Sequence, residues 1–105
     1  MIIYGLKTCD TCRKARKALP AATFVDVREE GLPGEVLDRA LALFGDKLVN
    51  TRSTTWRDFD EDTRAMDPAA LIAAHPTVMK RPLFVEDQRM VLGWDKAAQS
   101  ALGAV

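Results

Sequence analysis

Cysteine, histidine and net charge are all scarce in this sequence, and each scarcity excludes something. The 105 residues include two cysteines and one histidine, and 15 basic residues balance 15 acidic ones. A structural zinc site normally takes four ligands, mostly cysteine and histidine, so these three residues predict no metal site. A formal net charge of zero gives the chain no general attraction to nucleic acids or acidic membranes, and neither partner is expected.

Long apolar segments are also missing. No hydrophobic run approaches the roughly 18 residues of a membrane span, and the first residues lack the basic and apolar regions of a secretory signal. These absences predict a cytoplasmic protein. In a reducing compartment, two cysteines as close as Cys9 and Cys12 are typical of a reactive site and not of a structural disulfide.

The length and the apolar pattern indicate one α/β domain over residues 1–105. Short β-branched or apolar runs predict four strands, at 2–4, 23–27, 83–85 and 90–92. Between the first two lies a predicted helix, so we expect a parallel, right-handed strand–helix–strand unit. The last two strands form a hairpin through Glu86-Asp87-Gln88, and Asp95 is positioned to cap a final helix.

The middle of the chain is predicted to be helical. Pro33 stands near the start of one helix, which Gly45 closes, and Asp67-Pro68 opens another that ends at His75-Pro76. Together these elements predict a thioredoxin-like fold with a mixed four-stranded sheet. A helical insertion of about residues 33–75 would separate its second and third strands.

Cys9 is predicted to lie at the start of the first helix, directly after the loop that follows the first strand. Unpaired N–H groups and the helix dipole favour an anion there, and a thiolate is such an anion. Lys7 and Arg13 act in the same direction on the pKa of Cys9, and Asp10 opposes them. We therefore predict a nucleophilic Cys9, with Lys7 and Arg13 as candidate substrate-binding residues.

Cys12 has two interpretations. It lies one turn further along the same helix face, where Cβ atoms are about 5–6 Å apart, and a disulfide needs about 3.5–4.5 Å. A small adjustment would allow Cys12 to resolve an intermediate on Cys9. Alternatively, Cys12 is a small buried apolar residue. The cations at 13, 14, 16 and 17 are interpreted as a solvated helix face.

Several segments resemble the arsenate-reductase-like family that includes Spx, MgsR and the YffB-type proteins. The matching segments are Tyr4-Gly5, Cys9 to Ala15, Asn50 to Arg57, Lys80 to Leu83, and Leu92 to Trp94. They occur in the family's order and spacing, so the resemblance covers nearly the whole chain. The segment Asn50 to Arg57 is the most specific and favours the YffB-type branch.

The resemblance implies a thioredoxin-like fold and a nucleophilic cysteine at Cys9. It also implies that Arg81 lies near this cysteine, where it binds an oxyanion or stabilises the thiolate, and that Pro82 is a cis-proline facing the cysteine. Arg52 is implied as a second substrate-binding arginine. The alternative for Arg52 and Arg81 is a surface position with weak ion pairs.

The function implied is that of a monomeric, thiol-dependent reductase with no bound cofactor. Glutathione or a small thiol would be the co-substrate, and the substrate a disulfide, a mixed disulfide or a small oxyanion. True arsenate reductases of this type carry a further arginine after the last strand, where this chain has Gly93-Trp94, so arsenate itself is not the favoured substrate. The alternative is a redox-sensing, Spx-like regulator that binds a protein partner such as RNA polymerase.

Overall fold

The computed structural model describes residues 1–104, which form one mixed sheet and seven α-helices. The strands are β1 (Ile2–Gly5), β2 (Thr23–Asp26), β3 (Leu83–Glu86) and β4 (Arg89–Leu92). The helices are α1 (Asp10–Ala18), α2 (Val27–Glu30), α3 (Gly34–Phe44), α4 (Thr54–Arg57), α5 (Glu61–Arg64), α6 (Pro68–Ala74) and α7 (Lys96–Ala101). Two short 3₁₀ turns, Gly45–Leu48 and Pro76–Val78, follow α3 and α6.

The sheet has the strand order β2-β1-β3-β4. β1 and β2 are parallel because α1 carries the chain back between them, and the β3 and β4 pairings are antiparallel. This arrangement confirms the predicted thioredoxin-like α/β fold with a mixed four-stranded sheet. No helix within residues 1–104 is long and apolar enough to cross a membrane.

The strands and α1 share an apolar core. Ile3 of β1, Ala15 of α1 and Phe84 of β3 are buried together with Leu102. The Trp94 ring lies against this cluster, with its centroid 5.8 Å from that of Phe84. Burial of these aromatic and aliphatic side chains is the main stabilising contribution to this part of the chain.

The described residues group into two compact units, Gly31–Lys80 and the remainder of the chain. In Gly31–Lys80, α3 packs against α6, and the only pairing of extended backbone in these fully described residues is a bridge between Val49 and Met79. The helices predicted after Pro33 and Asp67 are confirmed. The helical insertion therefore lies between the second and third strands, as predicted.

Three one-turn helices were not anticipated from the sequence. α4 and α5 are four residues long, too short for an apolar periodicity to show. Each is stabilised at its start by a side chain, since Ser53 accepts the Trp56 N–H and Asp60 accepts the Thr63 N–H. The predicted second strand extended through Val27, but Val27 instead begins α2.

Candidate active site

The sheet topology brings three chain segments to one end of the sheet. Parallel strands β1 and β2 both end there, with Gly5 beside Asp26. β3 runs the other way and begins at Leu83, opposite Tyr4. The residues that precede β3, including Arg81, therefore lie at the same end as the loop that leads from β1 into α1.

Cys9 occupies the N-cap position of α1. Its backbone is extended (φ −83°, ψ 123°), its N–H donates to the carbonyl of Leu6 (3.1 Å), and its carbonyl accepts the N–H of Arg13 (3.0 Å). The side chain is half-buried. A sulfur at this position faces the positive end of a nine-residue helix, where a negative charge is stabilised.

The environment of Cys9 lowers the pKa of its thiol. Partial burial opposes ionisation, but the backbone N–H and the thiol of Cys12 and the cation of Arg81 more than compensate for it. Arg81 contributes both its charge and a hydrogen bond to the sulfur. The Cys9 thiol is therefore more readily ionised to the thiolate than that of a free cysteine.

Cys12 has the opposite environment. It is fully buried in α1, and burial together with the neighbouring Cys9 raises its pKa to about 12. Cys12 is therefore a protonated thiol that donates to the Cys9 thiolate. Both cysteines are free, which leaves the pair in its dithiol form.

Gly5 gives Cys12 the space that it occupies. A Cβ atom at residue 5 would lie 2.5 Å from the Cys12 Sγ and 3.3 Å from a carbon of the Phe24 ring. The close approach of α1 to the end of β1 thus requires glycine at this position. The packing of Cys12 against the sheet depends on this absence of a side chain.

Arg81 and Pro82 connect the insertion to β3. The Arg81–Pro82 peptide bond is cis, as the resemblance implies. Pro82 is buried, and its carbonyl accepts the N–H of Gly93 (2.8 Å). Arg81 is half-buried and interacts with Cys9, so these two predicted residues are brought together.

Lys7 and Arg13 lie near Cys9 but are engaged with carboxylates. The Lys7 ammonium pairs with Glu29 (3.0 Å), and the Arg13 guanidinium pairs with Asp10 (3.4 Å). Arg13 also donates through Nε to the carbonyl of Lys7 (3.2 Å). Arg13 therefore supports the loop before Cys9, and substrate binding by these two residues remains a prediction.

Arg52 belongs to the unit Gly31–Lys80, in the turn after the Val49–Met79 bridge. Its backbone N–H donates to Asn50 Oδ1 (3.0 Å), and its exposed side chain lines a depression of about 400 Å³ together with Lys47 and Lys80. Substrate binding by Arg52 therefore remains a prediction. Among residues 1–104, no three histidine, cysteine or acidic side chains are grouped as a metal site requires.

Asp26 is a part of the site that the sequence reasoning missed. It is only 7% exposed, and its carboxylate accepts the N–H groups of Lys7 (3.0 Å), Arg28 (2.8 Å) and Glu29 (3.3 Å). Burial opposes ionisation, but these N–H groups more than compensate and lower the pKa of Asp26. Asp26 thereby ties the loop before Cys9 to the start of α2. The signal in the sequence that could have identified Asp26 is an acidic residue at the end of a strand whose other residues are β-branched or aromatic.

Replacing Asp26 with Asn is expected to loosen the loop before Cys9. The Asn side chain has one oxygen, which can accept the N–H of Lys7 or an N–H at the start of α2. Its NH₂ group then lies against the remaining N–H donors. One buried N–H loses its partner, at a cost of about 1–2 kcal/mol in the free energy of unfolding. Urea unfolding measures this cost, and the pH dependence of Cys9 alkylation is expected to shift upward because the thiol leaves its favourable position.

Asp95→Asn is the matched control for this variant. Asp95 is an exposed N-cap that accepts a single N–H, from Ala98 (2.8 Å), and Asn serves about equally well at such a position. Neither stability nor Cys9 alkylation should change. An Asp26→Asn protein with wild-type alkylation at every pH would show that Asp26 does not position Cys9.

Comparison with known proteins decides the family. The model of the ArsC family matches residues 4–102, nearly the whole chain. The chain belongs to the ArsC family. A solved structure named YffB superposes with a TM-score of 0.83 and 33% identity, covering 95% of this chain and 96% of the other.

Two further comparisons extend this result. An arsenate reductase (ArsC) related protein from Brucella melitensis is 37% identical, with a TM-score of 0.69, covering 99% of this chain and 94% of the other. The global transcriptional regulator Spx of Bacillus subtilis is 26% identical over 104 residues, covering 90% of this chain and 79% of Spx. This ArsC-family protein is therefore similar both to reductase-like proteins and to a regulator.

The segment after β4 turns back onto the core. Gly93 has a positive φ of 89°, and Trp94 turns onto the core against Phe84. This segment of the ArsC-family chain therefore contributes to packing of the core.

Proposed function

We propose that this ArsC-family protein is a monomeric, cytoplasmic, thiol-dependent reductase that uses glutathione as its electron donor. The observation that carries the proposal is the pairing of Cys9 and Cys12. Cys9 is half-buried at a helix start with a lowered pKa, and Cys12 is a buried, protonated thiol with a pKa of about 12. Such a pair combines an attacking thiolate with a second thiol that can react in a later step.

In the first step, the Cys9 thiolate attacks one sulfur of a disulfide or mixed disulfide. A new bond forms between Cys9 Sγ and that sulfur, the original S–S bond breaks, and the other sulfur leaves as a thiolate that takes a proton from water. Arg81, which already interacts with the Cys9 sulfur, stabilises negative charge at the reacting atoms. The same guanidinium suits a small oxyanion as the alternative substrate.

In the second step, the mixed disulfide on Cys9 is resolved by a thiol. A glutathione thiolate attacks Cys9 Sγ, the bound thiol leaves, and a second glutathione thiolate then attacks the glutathione sulfur, which frees Cys9 and forms glutathione disulfide. Alternatively, Cys12 loses its proton and attacks Cys9 Sγ, and the bound thiol leaves. If Cys12 attacks, two glutathione molecules then reduce the Cys9–Cys12 disulfide and leave as glutathione disulfide. By either route the substrate gains two electrons and two glutathione thiols are oxidised. Arg81 is a candidate ligand for a carboxylate of glutathione.

Alkylation of Cys9 tests the central claim. At pH 6 an ordinary thiol is almost entirely protonated, so a lowered pKa should make Cys9 react with iodoacetamide faster than a model cysteine peptide. Mass spectrometry assigns the label, and Cys12 should remain unmodified. Reaction no faster than that of the model peptide would refute a reactive Cys9.

A regulator is the second candidate function, and the similarity to Spx supports it. Oxidation of Cys9 and Cys12 would then change the start of α1 and alter binding to a protein partner, without catalysis. Multiple turnovers of a small mixed disulfide by wild-type protein with glutathione would favour the reductase. Stoichiometric oxidation without turnover would favour the regulator.

A further inference from the structure

A basic groove runs beside α1, the helix that Cys9 caps. It has a volume of about 550 Å³ and is lined by Arg13, Arg16, Lys17, Pro20, Ala22 and Phe24. Among residues 1–104, no acidic residue lines it, although Asp10 pairs with Arg13. The groove therefore concentrates positive charge in a chain whose formal net charge is zero.

The groove is more than a solvated helix face. The Arg16 guanidinium lies 4.3 Å from the centroid of the Phe24 ring, so its side chain is held against β2. Neither Arg16 nor Lys17 forms an ion pair within residues 1–104. Their position in the last turn complements the helix dipole, but that accounts neither for Arg13 in the groove nor for the aromatic surface beneath Arg16.

The cations of the groove lie on α1 at increasing distances from Cys9. At about 1.5 Å per residue, Arg13 and Lys17 lie about 6 and 12 Å along the axis from Cys9. At about 100° per residue, Arg13 and Arg16 lie within about 40° of the direction of Cys9. Lys17 is about 80° away and Lys14 about 140° away. The three cations of the groove therefore share the side of α1 on which Cys9 lies.

This spacing fits an extended peptide. Its residues advance about 3.3 Å each, so those two and four positions from a reacting cysteine lie about 7 and 13 Å away. We propose that Cys9 acts on protein segments whose reacting cysteine is flanked, two and four positions away, by acidic residues bound in the Arg13–Arg16–Lys17 groove. The inference rests on the proposed function and names the substrate class: cysteine disulfides in acidic protein segments.

The test uses the full chain and synthetic peptides whose single cysteine carries a 2-thiopyridyl disulfide. The Cys9 thiolate attacks the peptide sulfur, a Cys9–peptide disulfide forms, and 2-thiopyridone leaves and is followed by its absorbance. Peptides with Asp two and four positions before or after the cysteine are compared with Asn counterparts. One acidic peptide should react about three- to ten-fold faster than its counterpart at low salt, and about 0.5 M salt should remove the advantage.

Charge-neutralising variants locate the effect. Arg16→Gln and Lys17→Gln should each reduce the advantage of the acidic peptide. Lys14→Gln, which removes the same charge from the same helix outside the groove, should leave it unchanged. An equal loss in Lys14→Gln would indicate a general charge effect and overturn the proposal. So would equal rates for acidic and Asn peptides in both orientations.

Two further measurements separate the possible failures. Iodoacetamide is small and uncharged, so its rate with Cys9 should be the same in wild type and all three variants. Rapid alkylation combined with no preference among peptides would overturn the substrate class and leave the reductase proposal intact. If a single-stranded oligonucleotide bound the groove while both peptides reacted equally, the groove would be assigned to nucleic acid and the proposal would fail.

Discussion

Replacing Cys9 with serine is expected to abolish glutathione-dependent reduction of disulfides, down to the rate of the buffer. A serine hydroxyl is not ionised near neutral pH and cannot form the mixed disulfide through which exchange proceeds. Cys12 cannot take over, because it is fully buried and its pKa is about 12. The effect is measured as turnover of a small mixed disulfide, monitored through the formation of glutathione disulfide.

Cys12→Ser is the matched control, since it removes one sulfur atom from the same helix. The first step should persist, and a mixed disulfide should accumulate on Cys9 until glutathione is added. A serine hydroxyl also donates a hydrogen bond, so the Cys9 thiolate keeps a donor at this position and its alkylation at pH 6 should stay fast. Turnover that survives in Cys9→Ser would show that the reaction does not pass through Cys9.

The fold was predictable because its elements carry strong local patterns. Ile2, Ile3 and Tyr4 form an apolar run closed by Gly5, and the helices after Pro33 and Asp67 have clear start signals. The one-turn helices were not predicted, because four residues cannot display a helical period. Their caps also use side chains that occur equally in turns. Local pattern thus predicts long elements, and tertiary context determines the short ones.

The candidate site was predictable only in part, because its contacts join residues far apart in sequence. The position of Cys9 at a helix start follows from local sequence, but its proximity to Arg81 came from the resemblance alone. Asp26 was missed because only the pairing of β1 with β2 shows that its carboxylate reaches the N–H of Lys7. The ion pair of Lys7 with Glu29 also joins residues far apart in sequence, whereas that of Arg13 with Asp10 has the i, i+3 spacing of a helix.

The basic run on α1 shows the same limit. The sequence predicts a solvated helix face for Lys14, Arg16 and Lys17 alike, and distinguishes the last two only by their position near the C-terminal end of the helix. The packing of α1 beside β2 places Phe24 under Arg16 and leaves Lys14 outside the groove. The distinction between a charged surface and a binding groove therefore depends on a residue from another element.

Replacing Gly5 with alanine is expected to lower the free energy of unfolding by about 2–3 kcal/mol, as overpacking of a filled core does. The new Cβ would lie 2.5 Å from the Cys12 Sγ, and a buried sulfur has no free space to move into. Relief requires α1 to shift from the end of β1, so Cys9 should move with it and its alkylation at pH 6 should slow. Urea unfolding and alkylation measure the two effects.

The sulfur of Cys12 should account for most of this cost. Gly5→Ala combined with Cys12→Ala removes that sulfur, so the double variant should lose less stability than the sum of the single variants, although a contact of 3.3 Å with the Phe24 ring persists. Gly34→Ala is the control, because a Cβ there meets nothing within 4 Å and alanine favours the helix. Additive losses in the double variant would show that Gly5 does not make room for Cys12.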